Sequence, residues 1–256
     1  MKYTKKWRVI MPRIYLSPST QEFNPYITTG NEEYWMNLIA DAMIPYLQQY
    51  GIDYNRNRPD MTAGSSIRES NAGNYDFHVA IHSNASGEGQ AGNQRGTVIF
   101  YYPSSANGLR MAELVSQQFK EIYPNPERVR VTPTTSLGEV SRTSAPSVLI
   151  EVAFHDNVED ANWITNNIDP IAKAIAEAIN QYFTSSSSGA ASGQTGRVRL
   201  TSGYLNIRSG PSLNSPITGM APNGATLRIL NRSGDWYNIE YNGQNGYVST
   251  NYVVVQ

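Results

Sequence analysis

Two stretches decide the fold: F-H-V-A-I-H-S-N-A, from Phe77 to Ala85, and S-V-L-I-E-V-A-F-H, from Ser147 to His155. Between its terminal Ser147 and His155 the second is continuously apolar except for Glu151, the pattern of a strand buried on both faces of a sheet. Together they hold all three histidines of the chain, His78, His82 and His155. A carboxylate inside an apolar strand costs several kcal/mol unless something pairs with it. Neutral imidazoles and a carboxylate at the ends of neighbouring strands are the ligand-and-base set of a hydrolytic zinc site. A lone histidine is ordinarily a structural residue satisfied by local hydrogen bonds. The clustering is what favours a metal.

Outward from these strands, helical and strand patterns alternate, which argues for an α/β fold with an open mixed sheet flanked by helices. Arg13 to Ser17 reads as a first strand. Glu32 to Tyr50 reads as a helix: Asn31 can cap it, Glu32 and Glu33 suit its positive end, Met36, Ile39, Met43 and Leu47 form its stripe, and Gly51 stops it. Thr97–Tyr102 reads as another strand, Gly108–Tyr123 as a helix ended by Pro124, and Asp169–Phe183 as a last amphipathic helix. Open sheets of this kind carry their sites at the carboxyl ends of the strands. That edge would gather His82, Glu151, His155, the Ser17–Gln21 turn and Glu33. His78 and His82 share a strand face, but four residues at about 3.3 Å each set them roughly 13 Å apart, too far for one ion. His78 therefore reads as a structural or supporting residue.

The segment T-S-S-S-S-G-A-A-S-G-Q-T-G, residues 184–196, has nothing to bury and reads as a flexible linker between residues 1–183 and residues 197–256. Beyond it, short alternating runs are divided by Ser209-Gly210-Pro211, Pro222-Asn223-Gly224 and Asn242-Gly243, the texture of a small all-β barrel. Arg197, Arg199, Arg208, Arg228 and Arg232 against Asp235 and Glu240 leave this segment at +3, which suits an anionic polymer, although solubility explains it equally well. The whole chain of 256 residues is 39% hydrophobic with a net charge of −1. That balance gives no support for nucleic-acid binding. No apolar run approaches the roughly 20 residues of a membrane span, and the basic start lacks the apolar core of a signal peptide. The absence of cysteine excludes a thiol nucleophile and is compatible with action outside the cell.

With these pieces in place, residues 31–40 (N-E-E-Y-W-M-N-L-I-A), 68–72 (R-E-S-N-A), 78–85 (H-V-A-I-H-S-N-A) and 146–157 (P-S-V-L-I-E-V-A-F-H-D-N) resemble the zinc-dependent N-acetylmuramoyl-L-alanine amidases of the Amidase_3 type, found in autolysins and phage endolysins. The resemblance covers about Ile14 to Phe183. It implies Glu33, four residues before Asn37, and His82 as zinc ligands, with Glu151 as the catalytic glutamate. It implies cleavage of the amide between N-acetylmuramic acid and L-alanine in bacterial peptidoglycan. One departure stands out. Where the family has a histidine in a D-P-G-H-G turn, this chain reads S-P-S-T-Q, with Thr20 at the aligned place. The third ligand is then either His155, four residues beyond Glu151, or the amide of Gln21. Arg142 reads as a catalytic-site residue that binds a stem-peptide carboxylate or steadies the oxyanion, or as a plain surface salt bridge. Asn84 reads as a cap on the loop after His82 or as a hydrogen-bonding partner of substrate.

The last segment resembles a bacterial SH3-like wall-binding module through Y-L-N-I-R-S-G-P-S-L-N-S (204–215), G-D-W-Y-N-I-E-Y (234–241) and N-G-Y-V-S-T-N-Y-V (245–253). Tyr204, Arg208, Trp236, Tyr247 and Tyr252 are its candidates for a peptide groove, with at least two of the five expected to be buried packing. Three readings follow: a monomeric peptidoglycan amidase acting at the cell wall, exported by a route other than a signal peptide or released at lysis; a non-catalytic wall-binding protein descended from an amidase; and a metal-free glycosidase using Glu33 and Glu151.

Overall fold

The structure, a computed structural model, describes residues 11–188, 195–213, 215–233 and 236–256. The chain divides into two compact units, Met1–Tyr182 and Phe183–Gln256. In the first, the elements run β1 (Arg13–Pro18), α1 (Glu32–Gln49), β2 (Asp53–Arg56), α2 (Ala63–Ala72), β3 (Phe77–Asn84), β4 (Val98–Tyr101), α3 (Ala106–Ile122), β5 (Arg130–Pro133), α4 (Gly138–Ser141), β6 (Ser147–Phe154), α5 (Val158–Asn166) and α6 (Ile168–Ser188).

The two deciding stretches become β3 and β6, adjacent and parallel at the centre of a six-stranded sheet of order β2-β1-β3-β6-β4-β5. Strands β1, β2 and β3 are also parallel, whereas β4 runs antiparallel to β6 and pairs in parallel with β5. The sheet is therefore mixed. Helix α1 packs against β1 and β3, and α3 against β4, β5 and β6. Seven of the eight β3 residues and seven of the eight β6 residues are buried, which is why neither strand shows polar alternation.

Helix α1 begins where the Asn31 side chain accepts the Tyr34 N–H at 2.8 Å, satisfying one of the donors a helix start leaves free. It ends before Gly51, whose φ of +68° is a left-handed conformation that glycine adopts without steric cost. Its buried face is Glu32, Met36, Ile39, Ala40, Met43 and Leu47. Helix α6 runs to Ser188 and β7 begins at Thr195, so both ends of the predicted 184–196 linker belong to regular elements. Once a helix is nucleated each added residue gains a hydrogen bond, and serine opposes that only weakly. Residues 189–194 of that linker lie outside the described residues.

The second unit holds β7 (Thr195–Val198), β8 (Tyr204–Arg208), β9 (Ile217–Pro222), β10 (Thr226–Ser233), β11 (Trp236–Tyr241), β12 (Gln244–Ser249) and β13 (Val253–Val255). They form a seven-stranded sheet of order β13-β7-β10-β11-β12-β8-β9 with all pairs antiparallel. Its core is aliphatic: Val198, Leu205, Ile207, Ala221, Leu227, Ile229, Ile239, Val248 and Val253. Because these residues fill the interior, none of the five groove candidates is buried, contrary to the expectation for at least two. Tyr204 is 64% and Tyr252 47% exposed, and Arg208, Trp236 and Tyr247 are half-buried. No helix among the described residues is long and apolar enough to cross a membrane.

Candidate active site at the carboxyl edge of the sheet

Because β1, β3 and β6 run the same way, their carboxyl ends share one edge. The register places Ile81 beside Pro18 and His82 beside Glu151. His82 is 7% exposed and lies between two carboxylates. Its Nδ1 is 2.8 Å from Glu32 Oε1, and its Nε2 is 3.0 Å from Glu139 Oε2. The Gln21 amide, in the turn after β1, stands 3.3 Å from the same Nδ1. Asn24 donates to Glu32 Oε2 at 2.6 Å and to Gln21 Oε1 at 3.2 Å, and the Ser83 N–H donates to Glu32 Oε1 at 3.3 Å. Beside this cluster opens a cleft of about 300 Å³ whose lining includes Thr20, Gln21, Phe23, Asn57, His82 and Glu139.

The electrostatics follow from burial and pairing. Burial disfavours the charged imidazole of His82, but Glu139 and Glu32 outweigh it and raise its pKa well above the ordinary value. Burial would raise Glu139 too, yet the imidazoles of His78 and His82 beside it hold its carboxyl well below the usual range. Glu32 is lowered in the same way, burial being overcome by His82 and Asn24. Glu151 differs. Burial pushes it up to about 7, His82 only partly offsets this, and Glu32 and Glu139 add repulsion. Its Oε2 is shielded from solvent and makes no hydrogen bond to the protein.

Two expected ligands are displaced. Glu32, not Glu33, faces His82: Glu32 lies four residues before Met36 on the buried face of α1, whereas Glu33 is rotated by about 100° and half-buried. His155 is turned away from His82. Its Nδ1 is 3.0 Å from the Ser83 carbonyl and 3.1 Å from the Ser83 hydroxyl, and its ring stacks on Tyr26 with centroids 5.3 Å apart. These partners hold it as a packing residue. Asn84 Oδ1 accepts the Ala85 N–H at 2.8 Å, which shapes the loop after β3. Arg142 is exposed at the end of α4. Its carbonyl accepts from Asn71 at 2.8 Å, and among the described residues it makes no hydrogen bond to the His82 cluster. Glu139 was not anticipated at all.

The donor chemistry bears on a divalent cation. Three carboxylates, from Glu32, Glu139 and Glu151, surround one imidazole, and the unpartnered Glu151 oxygen sits among them. Among the described residues no three histidines or acids form a ready cage. The groups facing His82 Nδ1 are the Glu32 carboxylate and the Gln21 amide. An imidazole nitrogen, a carboxylate oxygen and an amide oxygen suit zinc, with the amide the weakest of the three. The Gln21 amide turns its nitrogen to His82 Nδ1 while its oxygen accepts from Asn24, so presenting the oxygen to a cation requires the amide to turn over and gives up the bond to Asn24. With the amide so turned the set offers three donors, the Gln21 oxygen standing in place of the absent imidazole; as placed it offers two, the His82 imidazole and the Glu32 carboxylate.

In the second unit, a groove of about 560 Å³ is lined by Tyr204, Arg208, Trp236 and Tyr252 together with Arg199 and Leu213. Tyr247, paired across the sheet from Arg208, is not part of that lining.

Residues 23–181 match the family described as N-acetylmuramoyl-L-alanine amidase, and residues 203–254 match the bacterial SH3 domain. Among curated proteins, the bacteriocin BCN5 of Clostridium perfringens is 27% identical over 124 residues, covering 46% of this chain but only 14% of the bacteriocin. The chain thus spans a small part of that relative's length. Among solved structures, the amidase AmiC2 of Nostoc punctiforme superimposes with a TM-score of 0.60 at 19% identity, covering 68% of this chain and 97% of that one. An amidase from Clostridium difficile 630 gives 0.60 at 18%, covering 68% and 98%. The catalytic domain of the CD27L endolysin, targeting Clostridia difficile, gives 0.54 at 20%, covering 66% and 96%. At these identities the structural likeness is one of fold.

Proposed function

Because the chain belongs to the N-acetylmuramoyl-L-alanine amidase family, we propose that it hydrolyses the amide joining the lactyl group of N-acetylmuramic acid to L-alanine in peptidoglycan, with zinc held by His82, Glu32 and Gln21. When bound, zinc lowers the pKa of water towards 7 and polarises the scissile carbonyl. Glu151 takes the proton of the attacking water and returns it to the leaving amine of alanine. A carboxyl poised near 7 is matched to both transfers at neutral pH. Asn24 and Ser83 orient the Glu32 carboxylate, and the cleft bounded by Thr20, Phe23 and Asn57 takes the substrate. The observation that carries this reading is the Glu151 Oε2 atom, buried without a partner beside the His82–Glu32 pair.

Purified protein acting on bacterial sacculi should release stem peptides with a free amino-terminal alanine and no new reducing sugar ends. A chelator should abolish the release and added zinc restore it. Reducing ends that appear despite the chelator would instead mark a glycosidase. A second reading rests on Thr20 and the turned-away His155, which leave only two strong donors: a wall-binding protein without catalysis. It predicts binding to sacculi and no release of either product.

The groove of the second unit then holds the enzyme on its polymer, with Arg199 and Arg208 suited to stem-peptide carboxylates and Tyr204, Trp236 and Tyr252 supplying apolar contact. Tethering raises the local concentration of the catalytic unit on the wall. A tryptophan in such a groove typically contributes 1.4 kcal/mol or more, so Trp236→Ala should weaken sacculus binding by about tenfold. Hydrolysis of a small soluble muramoyl-peptide should stay unchanged. Pull-down against both substrates checks this, and equal loss on the two would place Trp236 in folding rather than in wall binding.

A further inference from the structure

We propose that Glu139 is a positioning residue that fixes the tautomer and orientation of His82, so that Nδ1 rather than Nε2 is its ligand atom; the inference rests on the metal reading above. A ligating imidazole needs a bare nitrogen on one side and an N–H on the other, and the hydrogen-bond partner of the second nitrogen decides which is which. Both nitrogens face a carboxylate, Nδ1 that of Glu32 at 2.8 Å and Nε2 that of Glu139 at 3.0 Å. In the metal reading Glu32 and Gln21 hold the ion, which leaves Glu139 as the acceptor for the imidazole proton, on Nε2. The free lone pair is then on Nδ1, the side of Glu32 and Gln21.

Such a device works only if the carboxylate is itself immobile, and Glu139 of α4 is held by β1 and β3, with α2 behind His78. It is 4% exposed on α4. Its Oε1 accepts from the Ser17 hydroxyl at the end of β1. The same oxygen lies 3.4 Å from Nε2 of His78 on β3, a long contact without hydrogen-bond alignment. The far nitrogen of His78, Nδ1, is 2.9 Å from the Ser70 hydroxyl of α2. If Ser70 donates there, the His78 proton is on Nε2, facing Glu139. This gives the wholly buried His78 a role: two histidines four apart on one strand face, too distant to share an ion, share one carboxylate. Sequence spacing could not foresee that, because the carboxylate comes from residue 139.

The test is zinc titration of the full-length protein by calorimetry, wild type against Glu139→Leu and Glu139→Gln. It is joined to long-range proton–nitrogen NMR of the zinc-loaded wild type, in which only three histidines contribute. Leu removes the acceptor and should weaken zinc binding about 10- to 100-fold; Gln, which can still accept through its amide oxygen, should lose less. The spectrum should show His82 carrying its proton on Nε2. Wild type that binds zinc while Glu139→Leu binds it equally well, or a His82 protonated on Nδ1, overturns the inference alone. Wild type that binds no zinc overturns the metal reading and this inference with it. If the Leu variant does not fold, the wild-type spectrum alone decides.

Discussion

Glu151→Gln is expected to lower kcat by about 10³-fold, within the range for losing a positioned general base, while zinc content and KM for a soluble muramoyl-peptide stay near wild type. Glutamine has the shape of the protonated carboxyl but cannot take a proton. Steady-state kinetics with metal analysis on the same sample check the split, and a loss below about tenfold would remove Glu151 from the chemistry. The same variant reports on charge. The folded protein holds a proton on Glu151 up to about pH 7, against an ordinary value of 4.5. Between those values the folded state binds more protons than the unfolded, so stability falls as pH rises through the window. At 1.36 kcal/mol per pKa unit the full fall is about 3 kcal/mol. In metal-free protein, urea denaturation should therefore show the Gln variant gaining on wild type by up to that amount across this window. A constant difference would mean that Glu151 does not titrate there.

The sheet was legible because burial on both faces suppresses the alternation of polar and apolar residues, and β3 and β6 show none over eight residues each. Helix α1 was legible from its cap, stripe and glycine stop. Short polar elements were not: β2, β5 and the four-residue α4 offer no period to count, and α2 and α5 are polar at most positions. The site was half legible. His82 and Glu151 stand where their strands put them, side by side in register. The choice between Glu32 and Glu33 was open to better reading, because extending the stripe from Met36 back by one helical turn lands on Glu32. Family alignment pointed one residue away, and a one-residue shift on a helix changes the face. Glu139 left no trace, since its role depends on α4 meeting β1 and β3 across the fold. His155 misled for the opposite reason. Its residue type and position suit a ligand, but the Ser83 carbonyl and the Tyr26 ring claim it first.

Replacing His82 is expected to do more than remove a ligand. Its two nitrogens face the buried Glu32 and Glu139, so His82→Ala strands two carboxylates at once. Removing one partner of a buried charge pair typically costs about 3–5 kcal/mol, a large share of the 5–15 kcal/mol that holds a typical domain together. A melted Ala variant would therefore say nothing about metal. His82→Gln is the sharper probe: its amide can still donate toward one carboxylate, but it has no imidazole nitrogen to offer a cation. It should fold with a lowered melting temperature, bind zinc more than about 10²-fold more weakly, beyond the loss typical of an outer-shell partner, and release no stem peptide above background. Glu151→Gln should keep its zinc and lose the reaction; His82→Gln should lose both. Only a site that divides holding the ion from moving the proton produces that pattern. If both folded variants and the wild type bound sacculi alike and none released peptide, the cleft would have no chemistry to lose, and the reading as a wall-binding protein would stand.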